Sequence, residues 1–255
     1  MKIRGHVALV IIFLGLLVAD VVQRLIIVPM LWLRPHRRIA IMTRWQRLLA
    51  WWVLASASRI GGAHIPPLPC IPGAPGTLIL MNHQSVLDIP LMVASVRDAY
   101  PRIVTRKRYL RWIPLISHMV RLYQYPVVNL RANARESRAM LKNIREAART
   151  SPVPLGIFPE GTRTRDGEIG PFKTTGLRII LRQRPWQVYL LVADGFWQRA
   201  KLKHFLAGMA DIRGSIRLEG PFPWDPGEGD PEEFIAEMRE RMIRSLHRLR
   251  PTESV

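Results

Sequence analysis

The chain opens on apolar positions. Residues 7–19 run without a polar side chain, and after Asp20, Gln23 and Arg24 a second run covers residues 25–33. A bilayer crossing needs about 20 apolar residues and an acid at its centre costs about 2.5–3.5 kcal/mol. A straight crossing over residues 7–26 must therefore place Asp20 off centre, where Arg24, four residues on, can pair with it on one helical face. Two shorter helices that enter and leave one leaflet on the same side fit equally well. Arg34, Arg37 and Arg38 and the tryptophans Trp32, Trp45, Trp51 and Trp52 would then lie at headgroup depth. A cleaved signal peptide fits less well, because no small-x-small site directly follows the apolar run. Over residues 44–58, Trp45, Leu48, Leu49, Trp52, Leu54 and Ala55 recur at helical spacing, predicting an amphipathic interfacial helix. Gly61, Gly62 and the prolines of residues 66–75 then divide a membrane-anchoring segment, residues 1–60, from a body of residues 61–255.

Within the body, short apolar runs at residues 77–81, 103–104, 126–129, 153–158 and 188–192 predict strands. Residues 89–96, 133–150 and 174–183 read as helices between them. This alternation predicts an α/β fold with a mostly parallel sheet flanked by helices. A last helix is marked by Asp230 as N-cap, Pro231 in the first turn, and Ile235, Met238, Met242, Leu246 and Leu249 along one face.

Composition changes the picture through charge. The 255 residues hold 38 Lys and Arg against 19 Asp and Glu, a formal charge of +19, so the expected partner is anionic: nucleic acid, a membrane surface or a phosphorylated substrate. Before Asp88 nine bases face one acid, whereas from Asp225 onward eight acids outnumber five bases. A basic, apolar beginning favours anionic headgroups over nucleic acid, although Arg102, Arg106, Arg108 and Arg111 with Tyr109 and Trp112 interleave bases and aromatics as nucleic-acid binders do. The single cysteine, Cys70, excludes an intramolecular disulfide and any multi-cysteine metal site, and is expected to be a small buried hydrophobe.

Two constellations carry candidate chemistry. Asn82-His83-Gln84-Ser85-Val86-Leu87-Asp88 follows the first body strand, and the carboxyl end of a strand is where α/β sheets place ligands. If Asp88 folds back onto the imidazole Nδ1–H, it fixes the tautomer that leaves Nε2 free to take a proton. Alternatively, Asp88 complements a helix N-terminus with Ser85, and His83 is an ordinary loop histidine. Phe158-Pro159-Glu160-Gly161-Thr162-Arg163-Thr164 follows residues 153–157. Gly161 lets amides approach an anion, Thr162 and Thr164 add hydroxyls, and Arg163 brings a planar fork matched to phosphate. A common polar turn reads the same way. His6, His36, His64, His118, His204 and His247 have no acidic partner at motif spacing, and nucleophile-elbow, P-loop, dinucleotide and zinc-helix motifs do not occur.

Together, Asn82-His83-x-x-x-x-Asp88 and, about 75 residues later, Phe158-Pro159-Glu160-Gly161-Thr162-Arg163 resemble the glycerolipid and lysophospholipid acyltransferase family, most of all its 1-acyl-sn-glycerol-3-phosphate acyltransferases. Lys107, Leu110 and Pro114, and Phe172-Lys173 with Gly176, extend the resemblance. Two departures stand out. Asn129-Leu130-Arg131 stands where relatives usually carry Asp-Arg, and Lys173 is one residue further from Gly176 than is commonest.

The resemblance implies transfer of an acyl group from an acyl carrier protein or coenzyme A thioester to a lysophospholipid hydroxyl. In it His83 is general base, Asp88 orients it, and Glu160, Gly161, Thr162 and Arg163 contact the acceptor phosphate with Arg131 and Lys173 as further candidates. It also implies no metal or other cofactor, membrane lipids rather than nucleic acid as partners, and a catalytic domain on the cytoplasmic face. Another lysolipid acceptor, such as a lyso-ornithine lipid, and a non-catalytic, membrane-tethered anion binder remain alternatives.

Overall fold

The computed structural model describes residues 2–129, 133–199 and 208–250. Its first element is one long rod: α1 (Lys2–Val22), a wide π-helical turn (Gln23–Ile27) and α2 (Val28–Leu33) run on without a break in helical backbone. The stretch Ile3–Leu33 is long and apolar enough to cross a membrane. Ala8, Ile12, Ala19, Ile27 and Leu31 are buried, while Phe13, Leu14, Val18, Val21 and Leu25 on the other sides are exposed. After a turn at Pro35–Arg37, α3 (Arg38–Ala55) packs on α1. Gly15 permits the contact: a Cβ there would lie 2.2 Å from Trp52 Nε1. Of the two N-terminal arrangements the pattern allowed, the described backbone has a single helix over the first apolar stretch, with Asp20 and Arg24 paired at 3.0 Å on it. The expected amphipathic helix begins earlier, at Arg38, and turns Trp45, Leu49 and Leu54 into the core while Leu48 and Trp51 stay outside.

The body contributes β1 (Ile71–Pro72), β2 (Thr77–Met81), α4 (Asp88–Ser95), β3 (Val96–Arg97), β4 (Arg102–Ile103), β5 (Thr105–Arg106), α5 (Ile116–Leu122), β6 (Val127–Val128), α6 (Ala134–Thr150), β7 (Leu155–Ile157), α7 (Thr174–Leu181), β8 (Trp186–Asp194), β9 (Ser215–Trp224) and α8 (Pro231–Leu249). The main sheet runs β4-β7-β2-β8-β9 and is parallel except for β9, which pairs antiparallel with β8. The small pairs β1-β3 and β5-β6 are parallel too. The fold is therefore α/β with a mostly parallel sheet.

Strand pleat divides the core into two layers. Ile79 and Met81 of β2 and Tyr189, Leu191 and Ala193 of β8 point toward α1, α3 and α4; Leu78 and Leu80, with Val188, Leu190 and Val192, point toward α6, α7 and α8. The N-terminal helices thus share a core with one face of the sheet, and the second face carries amphipathic helices with charged exteriors. Trp186 and Trp224 anchor that second layer by donating their indole N–H groups to the carbonyls of Ile180 and Leu181 at the end of α7, at 3.0 and 2.9 Å. Cys70 is exposed, contrary to expectation, because the proline-rich connection around it runs over the surface instead of into the core.

Candidate active site

Strand β2 ends at Met81, and the next residue fastens the turn. Asn82 is buried; its side-chain amide donates to the Ala193 carbonyl and its carbonyl accepts the Ala193 N–H, both at 2.8 Å. Gln84, fully buried, reaches the same edge of β8, donating to Asp194 at 3.2 Å and accepting from the Phe196 N–H at 3.1 Å. Asp194 also accepts from Arg250 at 3.1 Å, so the end of α8 closes the network. Between these two fixed residues His83 has little freedom to move.

Asp88 does begin a helix, but its carboxylate turns back into the preceding turn. Oδ2 accepts from Gln84 N–H at 2.6 Å and Ser85 N–H at 2.8 Å and lies 2.7 Å from His83 Nδ1; Oδ1 accepts from the Ser85 hydroxyl at 3.3 Å. The carboxylate has no solvent exposure, so every hydrogen bond it makes is to protein. Asp88 thus stands in the first turn of α4 as an acid would for a helix N-terminus, but its hydrogen bonds go to the preceding turn and the imidazole, and no side-chain cap bond is made to the helix itself. A carboxylate at Nδ1 keeps the proton of a neutral imidazole there and leaves the lone pair on Nε2. The ring is stacked on Phe158, with centroids 4.3 Å apart and planes at 26°, and the His83 side chain keeps 21% exposure. An imidazole clamped at Nδ1 and on one face, with part of its side chain still exposed, can act as a general base through Nε2.

The turn after β7 lies against it. The His83 carbonyl accepts the Thr164 N–H at 2.8 Å, and the His83 N–H donates to Glu160 at 2.9 Å. Glu160 is buried, and its other oxygen accepts the Gly170 N–H at 3.1 Å. Burial pushes its carboxyl above the ordinary glutamate range, against the opposing pull of these two amides. The structure thus gives Glu160 a bracing position: it faces the protein, where a carboxylate would not have to meet a phosphate. Thr162 is exposed and Arg163 half-exposed on the outer side of the turn, and Lys173 is exposed, held through its backbone N–H on the Pro159 carbonyl at 2.8 Å. Gly161 adopts φ +68°, and a Cβ there would approach Lys173 Cγ to 3.3 Å. Arg131 lies outside the described residues.

Sequence reasoning did not find three supports of the site: Arg106, whose guanidinium donates to the Gly161 carbonyl; the Asn82 and Gln84 clasp on β8; and Arg250. Asn82 and Gln84 were visible as polar residues at a strand end, but their partners lie more than 100 residues away and no local signal connects them. Among the described residues no group of three His, Cys, Asp or Glu side chains converges as a metal site would require.

The 1-acyl-sn-glycerol-3-phosphate acyltransferase of Cocos nucifera is 26% identical over 176 residues, covering 68% of this chain and 53% of its own length. The protein of that name from Borreliella burgdorferi is 28% identical over 112 residues, covering 44% of this chain and 43% of its own length. The chain thus spans about half the length of these curated relatives. The crystal structure of the 1-acyl-sn-glycerophosphate (LPA) acyltransferase PlsC of Thermotoga maritima superposes with a TM-score of 0.66 at 18% identity, covering 100% of both chains, which establishes the shared fold. The family model named Acyltransferase matches residues 64–191, a span that takes in both turns and the strands that carry them, and the chain belongs to that family.

Proposed function

We propose that the protein is a membrane-anchored O-acyltransferase that moves a fatty acyl group from an acyl thioester to the free hydroxyl of 1-acyl-sn-glycerol-3-phosphate, giving phosphatidic acid. The observation that carries this reading is the 2.7 Å contact from His83 Nδ1 to a fully buried Asp88 carboxylate, in a turn bonded directly to the Glu160–Arg163 turn. The names of the relatives support the acceptor.

In this mechanism His83 Nε2 takes the hydroxyl proton as the oxygen attacks the thioester carbonyl. The tetrahedral intermediate then expels the thiolate, which recovers the proton from the imidazolium. Asp88 stabilises the transient imidazolium and holds the tautomer. Arg163, Thr162 and the amides around Gly161 grip the acceptor phosphate, with Lys173 beside them, and Glu160 keeps that turn against His83. General-base assistance supplies about 10²–10⁴-fold; positioning of two bound reactants must supply the rest. Residues 1–60 anchor the chain, with Ile3–Leu33 in the bilayer and the body on the cytoplasmic side.

The test is thioester consumption by purified protein offered lysophosphatidate, other lysolipids including lyso-ornithine lipid, or no acceptor. Thiol release that requires lysophosphatidate, with phosphatidic acid identified by mass, supports the reading; release independent of acceptor, or none with any lysolipid, contradicts it.

A further inference from the structure

The second layer carries a feature that acyl transfer at the site does not use. Arg135, Arg138, Lys142, Arg145 and Arg149 follow one another along α6 at steps of three and four residues, so they share one side of the helix. All five are exposed, and the buried residues Ile144, Ala147 and Ala148 lie on the opposite side. At 1.5 Å per residue the row is about 21 Å long. Its only acidic neighbours on the helix are Glu146, paired with Arg149 at 3.1 Å, and Glu136, engaged by Lys107 and Asn129. Among the described residues no carboxylate pairs with Arg135, Arg138, Lys142 or Arg145.

Another surface helix of the same layer shows that this is not how the protein ordinarily builds a solvated face. Helix α8 interleaves Glu232, Glu233, Glu237 and Glu240 with Arg239, Arg241, Arg244 and Arg248, and most of them are paired: Arg239 with Glu240, Arg241 with Glu237, Arg248 with Glu219 and Glu232 with Arg178. A row of like charges on α6 in which only Arg149 has a carboxylate partner is self-repulsive and is relieved by an anionic partner.

The kind of anion follows from place and shape. Helix α6 covers the sheet face opposite to α1 and α3, so its outer side looks away from the apolar helix that would sit in the bilayer. A nucleotide carrier concentrates its phosphates at one end and calls for a compact cluster, whereas a straight ladder matches the acidic side of another helix. The ladder also leads to the site: Lys107 bonds Glu136 in the first turn of α6 at 3.1 Å, and Arg106 next to it holds the Gly161 carbonyl.

We propose that the outer face of α6 docks an acidic acyl carrier protein, whose flexible arm delivers the thioester to His83. The proposal rests on the acyl-transfer reading and adds its protein partner. Electrostatic docking of this kind changes encounter, not chemistry.

The experiment compares wild type with the triple variant Arg138→Glu, Lys142→Glu, Arg145→Glu, using the same acyl chain on a carrier protein and on coenzyme A, and separately measures binding of holo carrier protein without an acyl chain. The expected result is weaker carrier binding and a KM for the carrier thioester raised about tenfold or more, with kcat kept and coenzyme A turnover within about twofold. A second variant, Arg138→Gln with Arg145→Gln, should show a smaller shift in the same direction. Equal loss with both donors, unchanged carrier binding, or weakened binding to anionic vesicles in its place would overturn the proposal. Carrier binding by His83→Ala, which the proposal requires at the wild-type level, separates failure of docking from failure of the acyl-transfer reading.

Discussion

The turn after β2 and the turn after β7 leave neighbouring parallel strands side by side, yet they are built in opposite senses. In the first, every polar side chain but that of His83 is buried: Asn82 and Gln84 are spent on β8, and Asp88 gathers three donors besides the imidazole. In the second, only Glu160 turns inward, while Thr162 and Arg163 are left toward the outside. A base has to be immobile to take a proton along a fixed direction; a phosphate grip has to be accessible. The two buried carboxylates differ in the same way. Asp88 touches the imidazole, where the proposed mechanism uses it, whereas Glu160 bonds two backbone amides and holds one turn against the other.

Substitutions can break this contrast in graded fashion. His83→Ala should lower kcat/KM for acyl transfer by about 10²–10⁴-fold while circular dichroism remains that of wild type. Asp88→Asn should cost nearly as much activity, and also about 1–3 kcal/mol of stability because an amide cannot accept from all of the donors that Asp88 satisfies; a fall in Tm without a fall in turnover per folded molecule would mean that Asp88 is a cap alone. Arg163→Ala should raise the KM for a phosphorylated acceptor with kcat little changed, and saturation curves measure the split. Gly161→Ala should destabilise by about 1–2 kcal/mol through its positive φ, readable as a shift in the denaturant midpoint.

Glu160→Gln has the smallest effect and the most diagnostic pH dependence. Burial raises the Glu160 carboxyl in the folded protein, so folding favours its protonated form. The stability this contributes is present below the ordinary glutamate range and is lost as pH rises through the elevated folded value. Wild type should therefore lose stability relative to Glu160→Gln as pH rises across that window, measured as paired unfolding midpoints.

The legibility of the sequence follows the range of the interactions involved. Residues 77–81 were readable as β2 to the residue because four apolar side chains follow Thr77 without a break, all of them buried, and Asp230 as a cap because its partner, the Glu232 N–H, is two residues away at 2.9 Å. Strand β9 escaped notice: Pro221, Pro223, Gly220 and alternating charges hide a strand that is tolerated only because it lies at the sheet edge. The His83 and Asp88 pair was legible from a spacing of five, but the inward turn of Glu160 was not, since it depends on amides 77 residues before and 10 after it. Cys70 was misjudged because apolar character says little about a residue flanked by prolines on a surface connection.

The most direct measurement is the single-turnover rate of His83→Ala with acyl thioester and lysophosphatidate, taken with and without added imidazole. A general base at position 83 predicts near-complete loss and partial recovery as imidazole enters the vacated space above Phe158; turnover close to wild type without imidazole would contradict it.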